Sequence, residues 1–189
     1  ANTMNAKWQA AMKEAIARLQ GEEGLTGVVL ASAKNTFFAG GDLGEMLSGE
    51  PNAEAIFELV ETAKAPIRAL EKLPVPVVAA INGAALGGGF EICLGCNRRI
   101  IADSPKAVTG LPEVGLGLLP GGGGVIRLPK LIGLEKALPI LLEGKPQKPA
   151  AALKLGMVDE IVATSDDLIP AAKAWIKANP DAAVQPWDQ

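Results

Sequence analysis

The chain of 189 residues reads as an α/β fold with crossover connections, on three observations. Short apolar segments such as GVVLAS and VVAAING alternate with amphipathic helical ones. Those segments are near-continuous apolar runs of the kind found in sheets covered on both faces. Glycine- and proline-rich turns stand at the predicted strand ends. A chain of this length fits one domain with a sizeable core, and no internal repeat or shift in composition marks a second.

The elements follow in order. Thr3 or Asn5 caps a first helix running to Gln20, with Trp8, Met12, Ile16 and Leu19 as its core-facing stripe. From Gly24 to Ala33 a turn leads into GVVLAS, expected to be buried on both faces. FFAGGDL is a tight glycine turn. A second helix spans Ala53 to Leu73 and is stopped by Pro74 and Pro76. VVAAING is a second buried strand, running directly into GAALGGGFEICLGC, a glycine-rich turn that opens a helix. Arg99 to Ala102 and a short piece around Val108 read as strands. LPEVGLGLLPGGGGVIRLPKLIG is a long loop that becomes helical after Gly124. Helices Leu134 to Leu142 and Pro149 to Leu155, a strand Met157 to Val162 and a helix Leu168 to Ala178 complete the chain. The tail AAVQPWDQ reads as linker. The opening Ala-Asn-Thr-Met-Asn lacks an initiator Met and enters a helix at once, which predicts a piece of a longer protein.

Composition narrows the function. With 49% hydrophobic and 21% charged residues the chain is expected to fold. Its longest apolar runs, such as Val75 to Ile81, are too short to cross a bilayer, so no transmembrane segment is expected, and no signal peptide opens it. A net charge of −3 argues against nucleic acid as a main partner. The chain has no histidine and no tyrosine, so proton transfer near neutral pH falls to a carboxylate, a lysine, a cysteine or water. Cys93 and Cys96 lie in the apolar stretch EICLGC with no histidine or further cysteine to complete a metal site, and are expected to be small core residues. Gly115 and Gly117 begin a dinucleotide-type pattern, but Pro120 stands where its third glycine should be.

The 22 glycines are spent mainly in three places beside predicted strand ends. Such turns let backbone N–H groups face a ligand, and one that opens a helix adds the favourable end of its dipole. Glu91 lies three residues past Gly88, and Glu113 lies 22 positions later in GLPEVG. Alone, either could simply favour a helix start or sit in a solvated loop. Together, in apolar surroundings that raise a carboxyl pKa and in a chain without histidine, they read as a proton-transfer pair. A paired-acid glycosidase is disfavoured, because only 4% of residues are aromatic and little is left to stack a sugar.

At these residues the chain resembles the crotonase (enoyl-CoA hydratase/isomerase) superfamily. More narrowly, it is similar to the N-terminal hydratase domain of multifunctional fatty-acid β-oxidation proteins of the 3-hydroxyacyl-CoA dehydrogenase type. The resemblance is carried by NTMN, SAKNTFFAGGDL, PVVAAINGAALGGGFEICLGCNRRIIAD, GLPEVGLGLLPGGGGVIRLPKLIG and LEGKPQKPAAALKLGMVDEIV. It implies a crotonase (ClpP-like) spiral of ββα units, truncated at both ends. Residues 1–180 would form the hydratase/isomerase domain, and 181–189 the start of a linker to a dehydrogenase domain. By motif position it implies an oxyanion hole at Gly41 and Gly88, catalytic roles for Glu91 and Glu113, and a water-positioning amide at Gly121. Ala39, Gly41 and Leu43 match the turn that meets the adenine end of coenzyme A. The substrate would be an acyl-CoA thioester. No metal or cofactor is implied, NAD entering only with a downstream dehydrogenase domain. A thiolase subunit or a homo-oligomer is the implied protein partner, and the cytoplasm the implied location. Gly44 stands where many relatives carry a lysine, so Lys34, Arg127 and Lys130 become candidate contacts to the CoA phosphates. Two alternatives stay open: a Δ3,Δ2-enoyl-CoA isomerase, for which Glu113 suffices, and a non-catalytic acyl-CoA-binding or assembly module.

Overall fold

A computed structural model describes residues 2–41 and 52–189. Helix α1 (Ala6–Gly21) begins where the Asn5 side chain accepts the amide of Trp8 at 2.9 Å, so Asn5 is its cap. Its expected stripe faces inward: Ile16 is buried, while Trp8, Met12 and Leu19 pack half-buried against the core. Trp8 meets Phe38 edge-on with ring centroids 5.8 Å apart, which fastens α1 to the turn leading to Gly40.

Each pass of the chain then lays down one strand in each of two sheets, followed by a helix. The first pass is β1 (Val28–Ala31), a bridge at Phe38 and helix α2 (Ala53–Glu71). The second is β2 (Val77–Ile81), β3 (Ala84–Leu86) and α3 (Gly88–Leu94). The third is β4 (Arg98–Ala102), β5 (Val108–Gly110), a 3₁₀ turn at Pro112–Leu116 and α4 (Gly124–Ile132). Helices α5 (Leu134–Glu143) and α6 (Pro149–Leu155), strand β6 (Glu160–Val162) and α7 (Leu168–Ala178) follow. The larger sheet is parallel, in the order β1-β2-β4-β6, with Val78 opposite Arg98 and Ile100 opposite Glu160. In the smaller one Ala85 stands between Phe38 and Thr109, again in parallel. This is the expected ββα spiral. Residues 84–86, anticipated as part of a glycine turn, are instead a strand. Three residues leave no readable period, and it is the neighbouring strands that hold them.

Strand β2 is buried along its whole length because helices cover both faces of the sheet. Val77, Ala79 and Ile81 enter the main core, while Val78 and Ala80 meet Leu168, Ala172 and Ile176 of α7. The expectation that β1 is buried on both faces is corrected. It is the last strand on its side of the sheet among the described residues, so Val28, Val29 and Leu30 are half-buried and Ala31 is exposed. Strand β6 starts later than expected, at Glu160. The left-handed turn at Gly156 leaves Met157 and Val158 in the core but ahead of the pairing. Cys93 and Cys96 are buried free thiols that contact the carbonyls of Gly89 and Ile92, as core residues should.

The tail, read from composition as linker, is seated on the fold. Buried Gln185 donates its side-chain amide to the Gly95 carbonyl at 2.9 Å, and Asn97 donates to Ala183 O at 3.0 Å. Asp188 accepts both terminal nitrogens of Arg68, at 2.9 and 2.8 Å. Among the described residues no helix is long and apolar enough to cross a membrane.

Candidate active site

The two glycine turns meet, backbone against backbone, at one end of the small sheet. Gly40 takes a φ of 101°, and a Cβ there would lie 3.1 Å from Leu86 O and 3.7 Å from Gly88 N. The Gly40 carbonyl accepts the Met4 amide at 2.9 Å, which pins the turn to the start of the chain. Gly87, at φ 53°, swings the chain from β3 into α3 while its own amide stays bound to Gly110 O at 2.9 Å. Among the described residues, neither the Gly41 nor the Gly88 amide donates to another protein group. Gly88 opens α3, where the first amides of a helix lack intrahelical partners.

These turns line a cavity of about 280 Å³ with Glu91, Glu113, Gly121 and an apolar wall from α2 and residues 116–119. Glu91 is 2% exposed, in the first turn of α3, and accepts the Gly124 amide at 2.7 Å. Burial pushes its carboxyl above the ordinary range, while the amides of Gly124, Gly122 and Gly123 and the charge of Arg127 pull the other way. A Cβ on Gly122 would come within 2.6 Å of Glu91 Oε2, so a side chain there would displace the carboxylate. Glu113 sits in the 3₁₀ turn after β5, half-buried, with Oε1 only 2.9 Å from the place a Cβ on Gly87 would take. Its Oε2 is buried without a hydrogen-bond partner among the described residues. Burial raises its carboxyl to about 7, and the nearby charge of Glu91 adds to the effect.

One cavity is therefore lined by the Gly41 and Gly88 turns, by a buried Glu91 that accepts the Gly124 amide and by a Glu113 carboxyl that titrates at about 7. A profile of the enoyl-CoA hydratase/isomerase family matches residues 1–185. The chain belongs to the enoyl-CoA hydratase/isomerase family.

Within that family the solved enoyl-CoA hydratase of Bacillus anthracis superposes with a TM-score of 0.83 at 34% identity, covering 92% of this chain and 66% of that one. The fatty acid oxidation complex subunit alpha of Shewanella loihica is 47% identical over 165 residues, 87% of this chain. Its counterpart from Shewanella halifaxensis is 43% identical over the same length. The chain spans 23% of the length of each of these two relatives.

Seen against the family motifs, Ala39, Gly41, Gly88, Glu91, Glu113 and Gly121 all border the one cavity. Leu43 and Gly44 lie outside the described residues. Arg127 is not available to a CoA phosphate: it is buried and forks onto Glu71, with Nε and Nη2 at 2.6 and 2.9 Å from the two carboxylate oxygens. Lys130 borders a separate cleft beside Arg68 and Trp187, and Lys34 a third near Trp8. Sequence reasoning missed the Glu71–Arg127 pair. The partners stand 56 residues apart, one at the end of a helix and one inside another, and no local pattern joins them.

Proposed function

We propose that this domain hydrates trans-2-enoyl-CoA to 3-hydroxyacyl-CoA, the hydration step of fatty-acid β-oxidation. The observation that supports it most is that the Gly41 and Gly88 turns and the raised Glu91 and Glu113 carboxyls all line one apolar-walled cavity. Water held near the Gly121 amide loses a proton to Glu91 as its oxygen bonds to C3. The electron pair of the C2–C3 double bond moves toward the thioester, and the resulting enolate oxygen is held by the Gly41 and Gly88 amides. Loss of one such donor typically costs about 3 kcal/mol of transition-state stabilisation. Glu113 then delivers its proton to C2. The step adds H and OH across the double bond and needs no cofactor. Ala39 and Leu43 would meet the coenzyme A moiety through their main chain.

A second reading, Δ3,Δ2-enoyl-CoA isomerisation, draws support from Glu113 alone. Its buried Oε2, without a partner among the described residues, suits a single proton shuttle between C4 and C2. The similarity to oxidation-complex α subunits extends the proposal. Residues 1–180 would be the hydratase domain of a longer cytoplasmic polypeptide, and 181–189 would lead to a dehydrogenase domain that uses NAD. The partner would be a thiolase subunit, or further copies of the chain. The test is loss of absorbance at the conjugated-thioester band with enoyl-CoAs of several chain lengths. A folded sample that binds them without any loss of signal would make this a binding module instead.

A further inference from the structure

We infer that Arg127 and Glu71 are a positioning unit for Glu91, acting through the main chain of residues 122–124; the kinetic consequence rests on the hydratase reading above. Neither side chain borders the cavity that holds Glu91, and both face the cleft beside Arg68 and Lys130. Arg127 uses its whole fork. Two nitrogens grip the Glu71 carboxylate, and the third, Nη1, donates to the Gly122 carbonyl at 2.7 Å.

That third bond orients the peptide between Gly122 and Gly123. In a trans peptide the carbonyl and the following N–H point in opposite directions. A guanidinium that fixes the Gly122 carbonyl therefore aims the Gly123 N–H away from Arg127. On that other side lies the Glu91 carboxylate, which accepts the Gly124 amide at 2.7 Å and stands against Gly122. Gly123 takes a φ of 105°, and a Cβ there would overlap Arg127 Nη1, so the turn closes onto the guanidinium only as glycine. The turn is thus clamped from both sides, by a cation on the Gly122 carbonyl and a carboxylate on the Gly124 amide. Glu71 is itself held by Arg68, whose Nη1 donates to Oε2 at 3.0 Å, and Arg68 is in turn held by Asp188. Glu71 keeps the guanidinium of Arg127 in place, and the turn transmits that placement to Glu91.

Positioning and simple stability are separable. Removing one member of a buried ion pair strands the other charge, whereas replacing both with apolar side chains is often close to neutral for stability. The single variant Arg127→Met should melt below the wild type. The double variant Arg127→Met/Glu71→Leu should regain the melting temperature but leave the Gly122 carbonyl ungripped. Its kcat should stay low, on the order of 100-fold below wild type for a misplaced catalytic group, with KM little changed. Amide hydrogen exchange at Gly124, the amide bound to Glu91, should be about tenfold or more faster in the double variant, with β2 unchanged. If the double variant fails to fold, Arg127→Lys serves: it keeps a charge for Glu71 without the fork and should lower kcat in a protein that melts normally. Recovery of kcat together with melting temperature, or unchanged exchange at Gly124, would overturn the inference. A wild-type protein without hydratase activity would sink the functional reading instead, and the exchange measurement would still decide this one.

Discussion

The pH dependence of hydration should be governed by Glu113. Its carboxyl is half-buried, one oxygen has no partner among the described residues, and burial places its titration at about 7, with the charge of Glu91 adding to the rise. A group titrating there is roughly 90% protonated at pH 6 and roughly 10% at pH 8. If the protonated form must deliver the proton to C2, kcat/KM falls about tenfold between those values and continues to fall tenfold per unit above them. Initial rates with crotonyl-CoA below KM, from pH 5.5 to 9, measure this directly, because kcat/KM reports the free enzyme. Glu113→Gln should remove the activity and with it the alkaline limb. The same shift has a thermodynamic side. The folded-state value lies above the unfolded one, so the protonated carboxyl favours the fold at low pH, and that contribution is lost as pH rises through about 7. Glu113→Gln should therefore withstand more urea than the wild type at pH 8, with the difference closing toward pH 4. A kcat/KM flat from pH 6 to 9 in an active enzyme would refute the assignment of Glu113 as the acid.

Other perturbations test neighbouring claims. Glu91→Gln should cut hydration by about 10²-fold or more while sparing any isomerisation, and full crotonyl-CoA hydration by that variant would end the proposed division of roles. Gly89→Ala would drive a Cβ into the Phe38 carbonyl, part of the bridge between the two glycine turns. The expected cost is about 1–3 kcal/mol, seen as a melting temperature lower by roughly 2–12 °C. An unchanged melting curve would mean the two turns are not packed as described. Gln185→Ala removes the buried amide that caps Gly95 O and should cost about 1–3 kcal/mol in urea unfolding, together with faster proteolytic clipping of the tail. A tail that is cleaved at the same rate in both proteins was never docked.

Much of the fold was legible because its signals are local. Asn5 caps a helix, VVAAI is a buried strand, and helices Pro149–Leu155 and Leu168–Ala178 follow from period and punctuation alone. The readings that failed share one cause. How deeply β1 is buried depends on how many strands and helices lie beside it, which a strand's own composition does not state. The tail reads as linker because its partners, Gly95, Asn97 and Arg68, lie some 86 to 120 positions away. Strand β3 is too short for a period and exists through its pairing with Phe38 and β5.

The candidate site divides along the same line. By itself the sequence determined its chemistry: glycine turns with amides to spare, two carboxyls in apolar context, and no histidine to share the proton work. It also determined that residues near Gly41, Gly88 and Gly121 had to be glycine-rich, since backbone donors reach a ligand best where no Cβ intervenes. Only the tertiary structure decided that the turns touch, that Glu91 is held by the Gly124 amide, and that Glu113 is left to titrate near neutrality. It also took Arg127 away from solvent and gave it to Glu71. Desolvation and pairing arise from what surrounds a group in space, and no sequence neighbour of Glu91, Glu113 or Arg127 supplies those surroundings.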